Sequence, residues 1–335
     1  INKWDQCCVD KKEQVRRLID LVTISVLTDA GAGDKWKFIS NDGKVLTRSE
    51  GIAQATFEMF ENGLFSSDSA IKTRVNSVGL KNLTTKALKM GFQVNDNNCM
   101  IGLDGRCEII QRLGVELKRY PEFFGNELYR PGNLLDYILN HKKTKYDKIN
   151  NTYYCSIHVL WKAIICGYEN IWPKHMSGIR RGDVWVHNLL KKKGYPGSDM
   201  VPFHKLQQWL TYSLIEAFKY YNIQFLDIND MTCLAEYRNG GLFIDTNVLT
   251  LKDNNNDRYY DVGSELVVEM RAMTIILADI IADKIRKIYN KTDKELPLAC
   301  ILEGGTWAAG RILAKKKRPK TRSPPINIRS DGTVF

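Results

Sequence analysis

Apolar residues recur at helical spacing along most of the chain, and the helices they mark outweigh everything else in it. Over residues 10–27, Val15, Leu18, Ile19, Val22 and Val26 share one helical face. Residues 48–61 repeat the pattern with Ile52, Thr56, Met59 and Phe60, opened by Thr47 and Glu50 as a capping box and stopped by Asn62-Gly63. Further helices are expected over 81–94 and 105–120 and after Arg130-Pro131-Gly132, with a turn at 95–98. Residues 150–168 are apolar nearly all round, which predicts a buried core helix with His158 as a satisfied core histidine. Alternation over 182–187 predicts a short extended segment with Asp183, Trp185 and His187 on one side. Residues 202–221 form a strongly amphipathic helix on Phe203, Leu206, Leu210, Leu214 and Phe218. Residues 264–286 form a long one, with Leu266, Met270, Met273, Leu277 and Ile280 inward. The expected fold is therefore mainly α, a compact multi-helical domain with a few short strands. We read 1–335 as one merged domain, with 1–150 as a helical subdomain and 151–335 as the half that bears the site.

Composition changes this picture little. The 335 residues carry a net charge of +11, and six basic residues with no acid fall within 315–322. Such a run can bind nucleic acid, an anionic membrane or a phosphorylated ligand, or lie solvated. No zinc-ligand spacing, basic helical stripe or aromatic RNA-binding signature accompanies it, so nucleic acid is not expected as a partner. No apolar run reaches the ~18 residues of a membrane span. Eight cysteines lie scattered without a C-x-x-C pair, which points to a reducing compartment and to the cytoplasm. No metal or cofactor is expected, and the oligomeric state is open.

The candidate chemistry lies in segments that break the packing rules. In 231–245, Glu236 and Arg238 sit inside an apolar run that turns through Asn239-Gly240-Gly241. Buried charge is costly unless paired or used, so this is either a structural Glu–Arg pair or a working carboxylate. His204, Lys205, Gln208 and Trp209 open the 202–221 helix, where Lys205 either enters a partly dry site or lays its stem on the core. Glu265 and Glu269 are four residues apart, a spacing at which like charges repel unless an arginine or sugar hydroxyls intervene; Arg271 points elsewhere. Asp183, Trp185 and His187 suit a sugar hydroxyl or heterocycle, or cap an apolar edge. Glu303, Trp307 and Arg311 surround a Gly304-Gly305 turn. Asp29 and Trp36 flank a glycine-rich loop that lacks the context of a dinucleotide or phosphate loop, and they either line a cavity or form a tight turn. The segments at 202–209, 231–245 and 264–271 are expected to wall one pocket.

These segments resemble a known family, the uracil-catabolism proteins of fungi and bacteria, long carried as a domain of unknown function. The likeness covers nearly the whole chain. It rests on DAGAG (29–33), RSEG (48–51), RPG (130–132), GDVWVH (182–187), PFHKLQQWLTYSL (202–214), EYRNGGLFID (236–245), SELVVEMRA (264–272), LEGGTWAAGR (302–311) and SDGTVF (330–335). It implies a role in dismantling uracil through ribosylated intermediates, including a ribosyl-urea species. A more distant likeness is to the queuosine 5′-phosphate N-glycosylases, mostly helical enzymes related in shape to DNA glycosylases. Their Lys-x-x-Gln helix is similar to Lys205–Gln208, their Ala-Asp-Tyr-Arg to Ala235–Arg238, their Val-Glu-Ile-Arg to Val268–Arg271, and their Trp-x-x-x-Arg to Trp307–Arg311. Glu replaces Asp at 236, and Asn-Gly-Gly follows where that family has Val/Leu-Pro-Gln, so base recognition does not transfer. The resemblance implies an N-ribosyl hydrolase working without metal on a nucleoside- or nucleotide-derived substrate. Glu236 would aim water, Lys205 assist, Glu269 hold ribose hydroxyls, and Arg238, Arg271 and Arg311 receive a phosphate. Two other readings are a non-catalytic binder of a pathway intermediate and a glycosylase-like binder of nucleic acid.

Overall fold

A computed structural model describes residues 9–33, 35–174, 182–252, 258–329 and 332–333. In chain order the elements are α1 (Lys11–Thr28), β1 (Phe38–Ile39), β2 (Val45–Leu46), α2 (Arg48–Glu61), α3 (Ser77–Lys81), α4 (Thr85–Gly91), α5 (Leu103–Glu116) and α6 (Leu134–Asn140). Then come β3 (Lys145–Asp147), β4 (Thr152–Ser156), α7 (Ile157–Gly167), β5 (Val184–Val186), β6 (Met200–Pro202), α8 (Lys205–Lys219) and β7 (Ile223–Leu226). The last are α9 (Tyr237–Asp245), β8 (Tyr259–Asp261), α10 (Glu265–Tyr289), a π-helical turn (Leu302–Trp307), α11 (Ala308–Lys317) and β9 (Asn327–Arg329). The fold is mainly α with a few short strands, and none of the described helices is long and apolar enough to cross a membrane.

The described chain forms two compact units. The first runs to Gly182 and takes back Trp209–Ile228; the second holds Asp183–Gln208 and the described part of Asn229–Ser330. The expected 150/151 border falls inside the first unit. There β4 pairs antiparallel with β3 and parallel with β7. Residues 150–168 thus divide into strand and helix: three β-formers, Thr152, Tyr153 and Tyr154, open the strand that precedes the apolar helix. His158 is exposed, contrary to the core role expected of it. Residues 81–94 likewise give the end of α3 and then α4, reset at Thr84, whose side chain caps α4. The capping box at Thr47 does not form: Thr47 makes no side-chain cap bond, and Arg48 adopts a left-handed φ of 56°.

One buried polar network organises this unit. Asp20, on the apolar side of α1, accepts from Arg130 Nε at 2.9 Å, Val75 N at 3.1 Å and Gly132 N at 2.7 Å, and pairs with Arg130 Nη2. Arg130 also reaches Glu13 at 2.9 Å. Burial pushes the Asp20 carboxyl above its ordinary range against the pull of Arg130. At Glu13 burial is outweighed by Arg130, Arg74 and Arg17, and the carboxyl is held below its usual range. Asp29 ends α1, and its loop is gripped by buried Arg106, which donates to Thr28 O at 2.8 Å and Ala30 O at 2.7 Å. Trp36 is core: its Nε1–H donates to Phe92 O at 2.9 Å and its ring meets Phe92 edge-on. The cavity-lining reading of Trp36 is therefore corrected. Trp36→Phe leaves a buried carbonyl unsatisfied and is expected to cost about 1–3 kcal/mol, read as a shift of the urea midpoint.

In the second unit β5 pairs antiparallel with β6, and β8 parallel with β9. The inner face of α10 is turned from the expected one. Val267, Met270, Arg271, Thr274, Ala278 and Ala282 are buried, whereas Met273 and Ile280 are exposed. Bulky residues suggested the stripe, but small ones let the neighbouring backbone approach. A Cβ on Gly240 would stand 2.8 Å from Thr274 Oγ1. Gly240 and Gly241 accordingly lie inside α9 instead of forming the expected turn, and Gly304-Gly305 lie within the π-helical turn. The SDGTVF motif at 330–335 lies largely outside the described residues.

Candidate functional site

Asp183, just before β5, is the buried hub of the second unit. Its two oxygens accept from Arg271 Nη1 at 2.7 Å and Nη2 at 2.6 Å, from Lys205 N at 3.0 Å and from Trp185 Nε1 at 2.7 Å. Its own carbonyl accepts from Phe203 N and His204 N. Arg271 completes its bonding through Nε to Ala235 O at 2.9 Å and stacks on the Phe203 ring at 4.2 Å. Burial raises the Asp183 pKa, but the guanidinium and its hydrogen bonds outweigh it and hold the carboxyl below its ordinary range. One ion pair thus joins the β5–β6 hairpin, the start of α8, α10 and the residue before Glu236. Arg271 is fully committed here, which corrects its expected role as a phosphate ligand.

Glu236 is the N-cap of α9. Its extended backbone lets Oε2 accept from Arg238 N at 2.8 Å and Oε1 from Asn239 N at 2.6 Å. The side chain is buried, and its charge faces backbone amides instead of the arginine two residues on. Arg238 turns away, to Arg322 O at 3.1 Å and the face of Tyr237. The Glu–Arg pair read from the sequence does not form. Burial drives the Glu236 pKa up; the Arg238 amide, the Lys205 ammonium and the Asn239 amide oppose it, and the net shift is upward. A carboxyl poised above its normal range, in the field of a lysine, is suited to exchanging protons.

The surroundings carry further signs of use. His204, next to Lys205, holds a left-handed φ of 48°, a strained conformation for a side-chain-bearing residue. Gln208, one turn along α8 from Lys205, is buried with its Oε1 unpartnered among the described residues, and so is His187 Nδ1. Asn239 donates to Leu234 O at 3.4 Å and accepts from Thr306 Oγ1 at 2.9 Å, tying the capped turn to the π-helical one. π-turns recur at functional sites. Asn239 and Thr306 were missed in the sequence; the only available signal was a polar side chain three residues after a cap.

Other expected residues fall into place differently. His187 Nε2 meets Glu269 at 3.2 Å, and Asn188 Nδ2 donates to Glu265 at 2.9 Å, so the hairpin, not an arginine or a sugar, relieves the Glu265–Glu269 repulsion. Trp307 is half-buried under the Arg311 guanidinium at 4.9 Å; Arg311 and Glu303 are exposed. Trp209 begins the part of α8 that belongs to the first unit, as Asp29 and Trp36 do. The basic run at 315–322 is partly structural. Three lysines end α11, where cations suit the helix dipole, and Arg318 forms a two-armed bond with Asp245 at 2.9 and 2.5 Å. Among the described residues no group of acidic, histidine and cysteine side chains could hold a metal ion.

α11 presses on α9 so closely that a Cβ at Gly310 would stand 2.4 Å from Arg238 O. Gly310→Ala is expected to cost about 1–3 kcal/mol by forcing the helices apart, seen as a lowered thermal midpoint.

The family described as "Protein of unknown function (DUF1688)" matches residues 1–335. The Lachancea kluyveri protein named "Uracil catabolism protein 4" is 40% identical over 363 aligned residues, covering all of this chain and 80% of that protein. The Schizosaccharomyces pombe "Protein urg3" is 37% identical over 342, covering all of this chain and 79% of that one. With its whole length matched and this level of identity on both relatives, the chain belongs to the DUF1688 family.

Proposed function

We propose that the protein acts in uracil catabolism by hydrolysing the ribose–nitrogen bond of a ribosyl-urea, free or as its 5′-phosphate. The pathway rests on the name of the Lachancea relative, "Uracil catabolism protein 4". The chemistry rests on one observation: a buried carboxyl, Glu236, whose proton affinity is raised and whose charge is met by amides and a lysine's field instead of a closed ion pair.

As the C1′–N bond breaks, positive charge develops on the sugar, and a buried carboxylate stabilises it more strongly than one in water does. Glu236 takes a proton from the attacking water, and the hydroxyl joins C1′. The leaving nitrogen takes a proton from the Lys205 ammonium, which regains one from Glu236 through solvent. The sum is water added across one bond. Gln208 Oε1 is free to accept from an N–H of the urea. With Arg271 committed to Asp183, Arg238 and Arg311 are the guanidinium groups left for a 5′-phosphate, and Trp307 offers an apolar wall.

Purified protein should release ribose and urea from ribosyl-urea, or ribose 5-phosphate and urea from the phosphorylated form, assayed by reducing sugar and by urea separately. Binding of both forms without either product would favour the second reading, a non-catalytic binder. That reading draws on the fact that both Glu236 oxygens already accept amide hydrogens.

A further inference from the structure

α10 presents an exposed apolar stripe with acid at one end and base at the other. At about 100° per residue, Glu269, Ile276, Ile280 and Lys287 fall within roughly 20° of one line along the helix. All four are exposed: Ile276 is 52% and Ile280 47% accessible, with Met273 beside them at 37%. Large apolar side chains in a row on a surface mark a contact surface. The N-terminal end of the stripe is acidic, through Glu265 and Glu269; the C-terminal end is basic, through Lys284 and Lys287, with Asp283 neutralised by Arg286 at 3.1 Å.

We propose that this face pairs with the same face of a second copy of the chain, the two α10 helices running antiparallel about a two-fold axis level with Ala278. The register follows from the charges. Antiparallel pairing about that point sets Ile276 against Ile280 of the second copy, and Glu269 against its Lys287, twice over by symmetry. It also opposes the two helix dipoles. Parallel pairing would set acid against acid. An acidic or a basic protein partner would complement one end and repel the other, and an anionic lipid surface would meet the acidic half. Only a self-complementary partner satisfies both ends at once. The exposed Leu189 and Leu190 lie on the hairpin that Asn188 fastens to Glu265, at the end of the stripe that the second helix's C-terminal turns would reach. Specific interfaces need about 800 Å² per partner, more than one helical stripe supplies, and this hairpin extends it.

The inference is independent of the catalytic reading and is tested by mass. Light scattering on a sizing column should give the mass of two chains for the wild type. Ile276→Glu should give the mass of one chain with unchanged helical circular dichroism, and Lys287→Glu a weaker dimer that dissociates on dilution. In the double variant Ile276→Cys/Ile280→Cys, oxidation should link two chains more than tenfold faster than in either single variant. A wild type that stays at one chain's mass overturns the proposal, as does a two-chain mass that survives Ile276→Glu.

Discussion

Arg271→Met should lower the stability of the fold at pH 7 by about 3–5 kcal/mol, the usual loss when one member of a buried ion pair is removed. The methionine fills most of the volume, so the loss comes from charge. Asp183, 2% accessible, keeps its bonds from Lys205 N and Trp185 Nε1 but loses both guanidinium arms, and Ala235 O loses its donor. The pH dependence identifies the cause. In the wild type the Asp183 carboxyl is held below its ordinary pKa, so its stabilisation is complete above the ordinary carboxylate range and is lost only as pH falls through the depressed value. Without Arg271, burial dominates and the pKa rises above the ordinary value. The penalty is then full at neutral pH and is relieved as the acid takes up its proton. The gap between the two proteins should therefore narrow from pH 7 to pH 5 in urea unfolding. Arg271→Met/Asp183→Asn should lose less than the sum of the two single changes. A gap that is constant with pH would mean that lost packing on Phe203, not the stranded carboxylate, sets the cost.

The same pair explains what could and could not be read from residues alone. Helix existence was legible because apolar spacing reports it directly, as in α1, α2, α5 and α8. Helix rotation was not: α10 turns toward its small residues, because Thr274, Ala278 and Ala282 admit close neighbours that Met273 and Ile280 would keep away. Residues 150–168 looked like one helix because strand and buried helix share an apolar composition, and only β-branched and aromatic enrichment at its start separates them. The candidate segments stood out in the sequence as anomalies, charge set in apolar runs, and the second unit joins 183–187, 204–208, 234–239 and 269–271 by hydrogen bonds. Pairing was not legible. Glu236 and Arg238 are neighbours that do not meet, whereas Asp183 finds Arg271 88 residues away. A cap competes for a carboxylate with any cation nearby, and backbone amides fixed at a helix start win over a flexible guanidinium whose ordering costs entropy.

Glu236→Gln should reduce turnover by about 10²–10⁴-fold, the range for loss of a general acid–base group, while the protein stays folded. Two opposing terms keep stability close to that of the wild type. The amide oxygen still accepts one of the two α9 hydrogens, but its NH₂ meets the other donor, at a cost near that of a weakened cap, about 0.5–2 kcal/mol. Against this, the variant no longer buries a charge. Because the Glu236 pKa is raised in the fold, the wild type is penalised above the ordinary carboxylate range, with a penalty that grows as pH rises from the ordinary to the shifted value and is full above it. The variant should thus gain stability relative to wild type from acid toward neutral pH, the reverse of the Arg271→Met trend. Glu236→Asp separates the two roles of the residue. Aspartate is as good a cap as any residue, yet its carboxylate would stop one methylene short of the proposed reacting carbon, so stability should stay near that of the wild type while turnover stays low. In the wild type, kcat/KM should rise with pH through an apparent pKa above the usual glutamate range, a limb that is lost in Glu236→Gln. Full turnover in Glu236→Gln with the limb intact would leave the residue a helix cap and nothing more.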